Sequence, residues 1–331
     1  MINVAINGMG RIGRAALKLL EQTDNFQVVA INDLTPLGNL IYLLRYDSVY
    51  GRFERGIEAS ENDLVIDGRR IRSFAEKNPG NLPWKDMDID VVFECTGAFR
   101  QRDDLAKHLD AGARHVILSA PGKGGNLPSV VFGVNELDEA SSSAFSTASC
   151  TTNCIAPVAE IMARRIGVLK AVMTTIHAYT SSQGIVDSPS KQAERGRAAG
   201  VNLIPTSTGA ATATAEVLPD YKGRFDGMAV RVPIPVGSIA DITFVTERST
   251  TVDEITAIFR EEAQSDRYHE VLGVSSDPIV SSDIIQDPRA SIVDLTATKV
   301  VDGDLVKIMS WYDNEWGYVC QMVRQAREML R

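Results

Sequence analysis

The 331-residue sequence predicts an α/β protein in which a doubly wound parallel sheet is joined to an α+β domain with a mostly antiparallel sheet. Three observations carry that prediction. Short apolar strands alternate with helical stretches through the first third, a glycine-rich turn directly follows the first strand, and longer β-rich segments separated by loops take over after about Gly167. Length alone gives about two domains, each large enough to bury its own core.

Ile2 to Asn7 reads as a buried strand, Arg11 to Glu21 as a helix and Phe26 to Ile31 as a second buried strand, together a βαβ unit. Asp90 to Cys95 and His115 to Ser119 continue the pattern as short strands between turn or helix signals. Ala171 to Ile176, Gly227 to Val232, Ile239 to Val245 and Leu305 to Tyr312 are the strands expected in the second sheet, with Thr251 to Gln264 as a helix packed on it. In a last helix, roughly Gly317 to Leu330, Val319, Met322, Val323 and Ala326 share one face, which is expected to dock on the first domain. The predicted domains are residues 1–149 with 315–331, and residues 150–314. Thr180 to Val201, rich in Ser, Gly, Ala, Arg and Gln and without periodicity, reads as a long functional loop.

Composition narrows the function classes. The net charge of −9 argues against nucleic acid or an anionic membrane as the main partner, so an anionic substrate must be held by local groups. There is no run of 18 apolar residues and no secretory signal at the start, which points to the cytoplasm. The four cysteines, 95, 150, 154 and 320, include no CxxC pair and suit free thiols better than a disulfide framework or a zinc site, so no metal is expected.

Gly8-Met9-Gly10-Arg11-Ile12-Gly13 lies between a strand and a helix, the setting that gives a GxGxxG meaning. The first glycine permits the tight turn, the second lets a pyrophosphate approach the backbone, and the third lets helix and strand pack closely. Asp33 stands 20 residues past Gly13, where a carboxylate accepts both ribose hydroxyls of NAD and repels a 2′-phosphate. The first domain is therefore Rossmann-type, with NAD preferred over NADP. Asn32 reads as structural.

Cys150 follows the small residues Ser146-Thr147-Ala148-Ser149 at a helix start, where unpaired N–H groups and the helix dipole are expected to lower its pKa. Cys154, one turn on, is too far for an unstrained disulfide. Four histidines are available as its base. His108 in an exposed-looking helix, His115 beside Arg114 and His269 in a polar stretch read as solvated; His177 ends an apolar strand and opens the long loop, as a base or as a structural histidine. Thr206-Ser207-Thr208-Gly209, opening a small-residue helix, offers a phosphate cradle, and Arg195, Arg197 and Arg231 are candidate anion ligands. The aromatic-dense block from Trp311 to Tyr318 contains one amide, Asn314.

These motifs, in this order and from end to end, resemble the phosphorylating glyceraldehyde-3-phosphate dehydrogenases. The resemblance is carried by Ala5 to Arg14, Tyr46 to Phe53, Ala148 to Cys154, His177 to Thr180, Ser207 to Ala211 and Trp311 to Tyr318. It implies that Cys150 attacks the aldehyde carbon, that His177 is the base and steadies the oxyanion, and that inorganic phosphate cleaves the thioester left after hydride transfer to NAD. It also implies that Thr180 and Arg231 hold the substrate phosphate. Ser149, Thr151, Thr208, Gly209 and Arg195 would hold the attacking phosphate, with Arg197 as the alternative to Arg195. Arg11, Ile12, Asp33, Lys77, Thr96, Ser119 and Asn314 would contact NAD, and the family is homotetrameric. The chain departs from the usual pattern at Met9, Lys77, Thr147, Gly184, Ser188, Thr212 and Val236-Gly237. An erythrose-4-phosphate dehydrogenase-like or NADP-accepting sister enzyme is the alternative reading.

Overall fold

β1 (Ile2–Asn7) buries Val4, Ala5 and Ile6 completely, as a strand covered on both faces must. It leads through Gly8 into α1 (Arg11–Leu20), and β2 (Phe26–Asn32) returns parallel beside it. The computed structural model describes residues 1–125, 127–138 and 143–330. It divides into two units, one of Met1–Val130, Glu136–Ala148 and the residues from Met322, the other of Val131–Asn135 and Ser149–Gln321.

The first unit continues with α2 (Leu37–Arg45), a small hairpin of β3 (Tyr46–Asp47) and β4 (Gly51–Arg52), and then β5 (Ile57–Ser60), β6 (Asp63–Ile66) and β7 (Arg69–Phe74). β8 (Val91–Glu94), α3 (Arg102–Asp110), β9 (His115–Leu118) and β10 (Ala144–Ser146) complete it. The sheet order is β10-β9-β8-β1-β2-β7-β6-β5. From β10 to β7 all pairs are parallel, and β6 and β5 add an antiparallel edge absent from the sequence reading. That edge turns at Asp67-Gly68, where both residues have positive φ, as a two-residue hairpin turn requires. Chain order reverses between β1 and β8, so the crevice at their C-terminal ends is the switch point where such sheets bind ligands.

α3 differs from its sequence reading. His108 is fully buried, because its spacing of three from Leu105 puts both on the face turned to Trp84 and the sheet. His115 is partly exposed and His269 exposed.

The second unit opens with α4 (Cys150–Arg165), followed by β11 (Val168–Ala178), β12 (Ile204–Ser207), α5 (Ala210–Val217), β13 (Phe225–Val232) and β14 (Ser238–Thr246). After α6 (Val252–Glu262) come β15 (Leu272–Ser275), β16 (Ser291–Val301) and β17 (Leu305–Tyr312); α7 (Trp316–Met329) ends the chain and is crossed by the division between the units. The sheet order is β12-β13-β11-β14-β17-β16-β15, antiparallel except for β11–β13 and β15–β16. α4 packs its buried Ile155, Val158, Ala159 and Met162 across β14, β16 and β17, which fixes its first turn over the sheet.

Candidate active site

Cys150 is the first residue of α4. Ala148, with φ +55°, turns the chain, and Ser149 caps the helix by accepting the Thr152 N–H on its Oγ at 3.1 Å. Thr151 Oγ lies 2.9 Å from the Tyr312 hydroxyl, which also meets Thr175 Oγ at 2.8 Å, so the helix start is tied to β17 and β11. Cys154 is buried against Ser291 and the Ser310 carbonyl.

His177 lies near the end of β11 and Arg231 near the end of β13. Because this pair of strands is parallel and in register, the two residues are direct neighbours. His177 Nε2 is 3.4 Å from Cys150 Sγ. Its Nδ1 lies 2.7 Å from the Ala178 carbonyl and 2.6 Å from the donor-only Arg231 Nη1; the tautomer that donates to the carbonyl leaves the Nε2 lone pair facing the thiol, whereas the one that accepts from the guanidinium carries its proton there. Arg231 Nη1 donates to the same carbonyl at 2.8 Å and stands 2.6 Å from Nδ1, while the buried Arg231 Nε has no partner. A half-buried guanidinium whose buried Nε has an unmet donor, beside a thiol, is suited to an anion.

The electrostatics correct one expectation. Burial pushes the Cys150 thiol up from its usual range, against the opposing pull of Arg231 and the hydrogen bonds from Thr151, so the helix start does not by itself make a thiolate. Burial, then the charge of Arg231, pushes His177 down to about 3, so its imidazole is neutral at pH 7. Each group alone stays neutral. Proton transfer from Sγ to Nε2 makes both charges together, where they attract one another.

Arg195 donates from Nε to Thr206 Oγ at 2.9 Å and from Nη2 to the Ser207 carbonyl at 3.0 Å, beside the Thr206 to Gly209 segment. Arg197 is instead exposed and paired with Asp187 at 2.9 Å. Thr208 Oγ accepts the Ala210 N–H at 3.2 Å, and Gly209 opens α5 with no side-chain cap and open space where a Cβ would point. Thr180 begins the long loop, its Oγ 2.8 Å from Ser182 Oγ. The nearby Gln183, whose Oε1 accepts the Thr180 N–H at 3.4 Å, has a buried Nε2 without a partner.

In the first unit, Gly8 has φ +93°, and a Cβ there would stand 2.6 Å from the Thr96 nitrogen. Gly13 packs on the Gly8 carbonyl, whereas a Cβ on Gly10 would meet open space at the uncapped N-terminus of α1. Two tight glycines and one open one, before the N-terminus of α1, fit a pyrophosphate. Asp33 accepts Met9 N–H at 2.6 Å and Thr35 N–H at 2.8 Å, which holds its carboxylate at the end of β2 with lone pairs to spare for ribose hydroxyls. The Arg11 guanidinium pairs with Asp47 at 2.8 Å and lies over the Tyr50 ring. Ile12 and Ser119 are partly exposed, and Lys77 and Thr96 exposed, at the crevice. In the second unit, Asn314 accepts the Gly237 N–H at 3.1 Å and the Ser238 hydroxyl at 3.0 Å on Oδ1, so its amide N–H groups are the ones left to donate.

Residues 149–314 match the family model for the glyceraldehyde 3-phosphate dehydrogenase C-terminal domain, and residues 2–102 match the model for its NAD binding domain. The chain belongs to the glyceraldehyde-3-phosphate dehydrogenase family. Its curated relatives include the glyceraldehyde-3-phosphate dehydrogenase of Thermotoga maritima, 47% identical with 100% of each chain covered. That of Clostridium pasteurianum is 46% identical over 98% of this chain and 97% of its own, and glyceraldehyde-3-phosphate dehydrogenase 2 of Streptomyces avermitilis is 45% identical over 97% and 96%.

For a glyceraldehyde-3-phosphate dehydrogenase, the structure adds groups that sequence reasoning passed over. Tyr312 packs edge-on against His177, with ring centroids 5.9 Å apart, while bonding Thr151 and Thr175, and so links the start of α4 to the end of β11. Only its place at a strand end inside the aromatic block hinted at this. The departure at Gly237 also finds a reason: with φ +90°, and the Ser281 carbonyl 2.5 Å from where a Cβ would lie, the position takes glycine. One prediction follows for the cofactor turn. Gly8→Ala is expected to cost about 1–3 kcal/mol of stability and to weaken NAD binding at least tenfold, read by urea unfolding and calorimetric titration; unchanged NAD affinity would show the turn has slack.

Proposed function

We propose that this chain is a phosphorylating, NAD-dependent dehydrogenase that converts glyceraldehyde 3-phosphate and inorganic phosphate to 1,3-bisphosphoglycerate, a step shared by glycolysis and gluconeogenesis. The observation that carries the reading is Cys150 Sγ at 3.4 Å from His177 Nε2, in a chain of this family. Residues 1–149 with 315–331 are assigned to the cofactor and residues 150–314 to the chemistry.

His177 Nε2 takes the Cys150 thiol proton as sulfur attacks the aldehyde carbon, and returns it to the developing alkoxide, giving a thiohemiacetal. Held by the Gly8 to Gly13 turn and Asp33, NAD would supply the hydride acceptor for this carbon. As the hydride departs, His177 removes the hydroxyl proton, so that the carbon becomes a thioester carbonyl. An oxygen of inorganic phosphate then adds to that carbonyl, the C–S bond breaks, and sulfur keeps the electron pair and regains a proton. Arg231, with its unpartnered Nε, and Thr180 receive the substrate phosphate; Ser149, Thr151, Thr208, Gly209 and Arg195 receive the attacking one. The position of Arg195 against Thr206 and Ser207 favours it over Arg197 and supports phosphate, not water, as the acyl acceptor. Asn314 would orient the nicotinamide carboxamide. Asp33 supports NAD over NADP, since a buried 2′-phosphate would be forced against its carboxylate.

The enzyme is assigned to the cytoplasm as a homotetramer. The exposed Ile185, Val186, Val201 and Leu203 in and beside the long loop, and Val172 and Met228 on the second sheet, support association with further copies. The deciding assay crosses NAD and NADP with and without phosphate, using glyceraldehyde 3-phosphate. NADH formation is expected to depend on phosphate and to exceed NADPH formation at least tenfold; equal rates without phosphate would reject the phosphorylating reading in favour of the erythrose-4-phosphate dehydrogenase-like one.

A further inference from the structure

The first unit buries a polar network that the reaction above does not use. Asn7 at the end of β1, Glu94 at the end of β8, Trp84, and His108 on α3 are each at most 1% exposed. Trp84 Nε1 lies 3.0 Å from His108 Nδ1. An indole nitrogen only donates, so Nδ1 accepts, and the neutral ring carries its proton on Nε2. That proton faces Glu94 Oε2 at 3.2 Å, and the same oxygen accepts from Asn7 Nδ2 at 2.5 Å. Glu94 Oε1 accepts the Thr96 N–H at 2.8 Å and the Thr96 hydroxyl. Asn7 Oδ1 accepts from Asn32 Nδ2 at 2.7 Å, and Asn32 clasps the Glu76 main chain, accepting its N–H at 2.8 Å and donating to its carbonyl at 2.9 Å.

The network thus links the C-terminal ends of β1, β2 and β8 with the segment after β7. Gly8, Asp33, Lys77 and Thr96 follow those four strand ends. The links run in one chain from His108 through Glu94 to Thr96, whose backbone is already in contact range of Gly8. A buried carboxylate that loses one donor must find another or shift, because leaving an oxygen unsatisfied is costly. Any shift of Glu94 moves Thr96, which hangs from its other oxygen.

We propose that His108 is a positioning residue for the cofactor crevice: with its tautomer locked by Trp84, it holds the Glu94 carboxylate and thereby sets Thr96 against the Gly8 turn. The proposal rests on the reading of that crevice as the NAD site. It acts through hydrogen bonds and not through ring volume, and this difference makes it testable. His108→Phe keeps a ring stacked on Trp84 but removes both nitrogens, His108→Gln restores a side-chain donor, and Trp84→Phe removes only the tautomer lock.

Calorimetric titration of NAD into the full-length protein provides the readout. His108→Phe is expected to raise the NAD dissociation constant about tenfold, His108→Gln to recover most of that loss, and Trp84→Phe to raise it about threefold. The KM for glyceraldehyde 3-phosphate and the Cys150 alkylation rate are expected to stay at wild-type values. Wild-type NAD affinity in His108→Phe, or equal losses in the Phe and Gln variants, would overturn the proposal and leave His108 a packing residue. Should His108→Phe fail to fold, Trp84→Phe decides: an NAD dissociation constant raised about threefold with an unchanged KM for glyceraldehyde 3-phosphate supports the proposal, and wild-type NAD affinity overturns it. Failure of the wild-type protein to bind NAD would instead defeat the cofactor reading itself.

Discussion

Cys150→Ser is expected to lower kcat for phosphate-dependent NADH formation by at least about 10⁴-fold, with NAD affinity close to wild type. The serine hydroxyl fits the space and keeps the Ser149-capped helix start, so the loss isolates nucleophilicity from packing. A hydroxyl is also a far weaker acid than a thiol, and a neutral imidazole at His177 cannot generate useful alkoxide from it. The acyl enzyme would be lost as well, so a pre-steady-state burst of NADH, present in the wild type, should be absent. Residual activity within tenfold of wild type would mean that another group attacks the aldehyde. The neighbouring Cys154 is a poor substitute: burial holds its thiol at about 12, and it faces Ser291 and Ser310.

His177→Asn is expected to lower kcat about 10²–10⁴-fold by removing the proton acceptor 3.4 Å from sulfur. Its second signature lies in pH dependence. Without the imidazole there is no positive partner formed beside the thiolate, while burial still opposes the charge, so the alkylation profile of Cys150 should move to higher pH. Stability should change in the opposite part of the scale. The folded-state pKa of His177 is depressed to about 3, against an unfolded value near 6.5, so between these limits the unfolded chain binds a proton that the folded one does not. This contribution to stability is full above about pH 6.5 and is lost as pH falls towards 3. In His177→Asn the dependence should be absent, which denaturant unfolding at pH 5 and 7.5 measures. An alkylation profile identical to wild type would remove His177 from the base role.

Both units were legible in outline because their strands are nearly continuous apolar runs, and the glycine spacing before α1 allowed a cofactor turn to be read. The edge strands β5 and β6 and the long strand β16 were not. Their residues mix charges with apolar side chains, although Asp67-Gly68 and Asp302-Gly303, both with positive φ, were hairpin turns waiting to be used. Cys150 and His177 were singled out from local sequence. Their separation was not available there, since it depends on α4 packing over the sheet that contains β11 and on Tyr312 of β17 reaching Thr151 and Thr175. His108 was misread because it sits beside Lys107 in a helix that looked exposed, while a single buried face needs only Leu105 and His108. Charge could not be read from position either. The helix start argued for a thiolate, and burial, which no single sequence displays, reversed the direction.

The parallel pairing of β11 with β13, inside a sheet that is otherwise mostly antiparallel, places His177 and Arg231 at matching positions. Successive strand residues point to opposite faces, so loss or gain of one residue between Phe225 and Val230 would present Arg231 to the wrong side of the sheet. That segment is therefore rigid in its number of residues, and at Gly227, where a Cβ would lie 2.6 Å from the Met173 carbonyl, in identity as well. An insertion or deletion in β13 must be undone within the same strand, or Arg231 leaves the face it shares with His177.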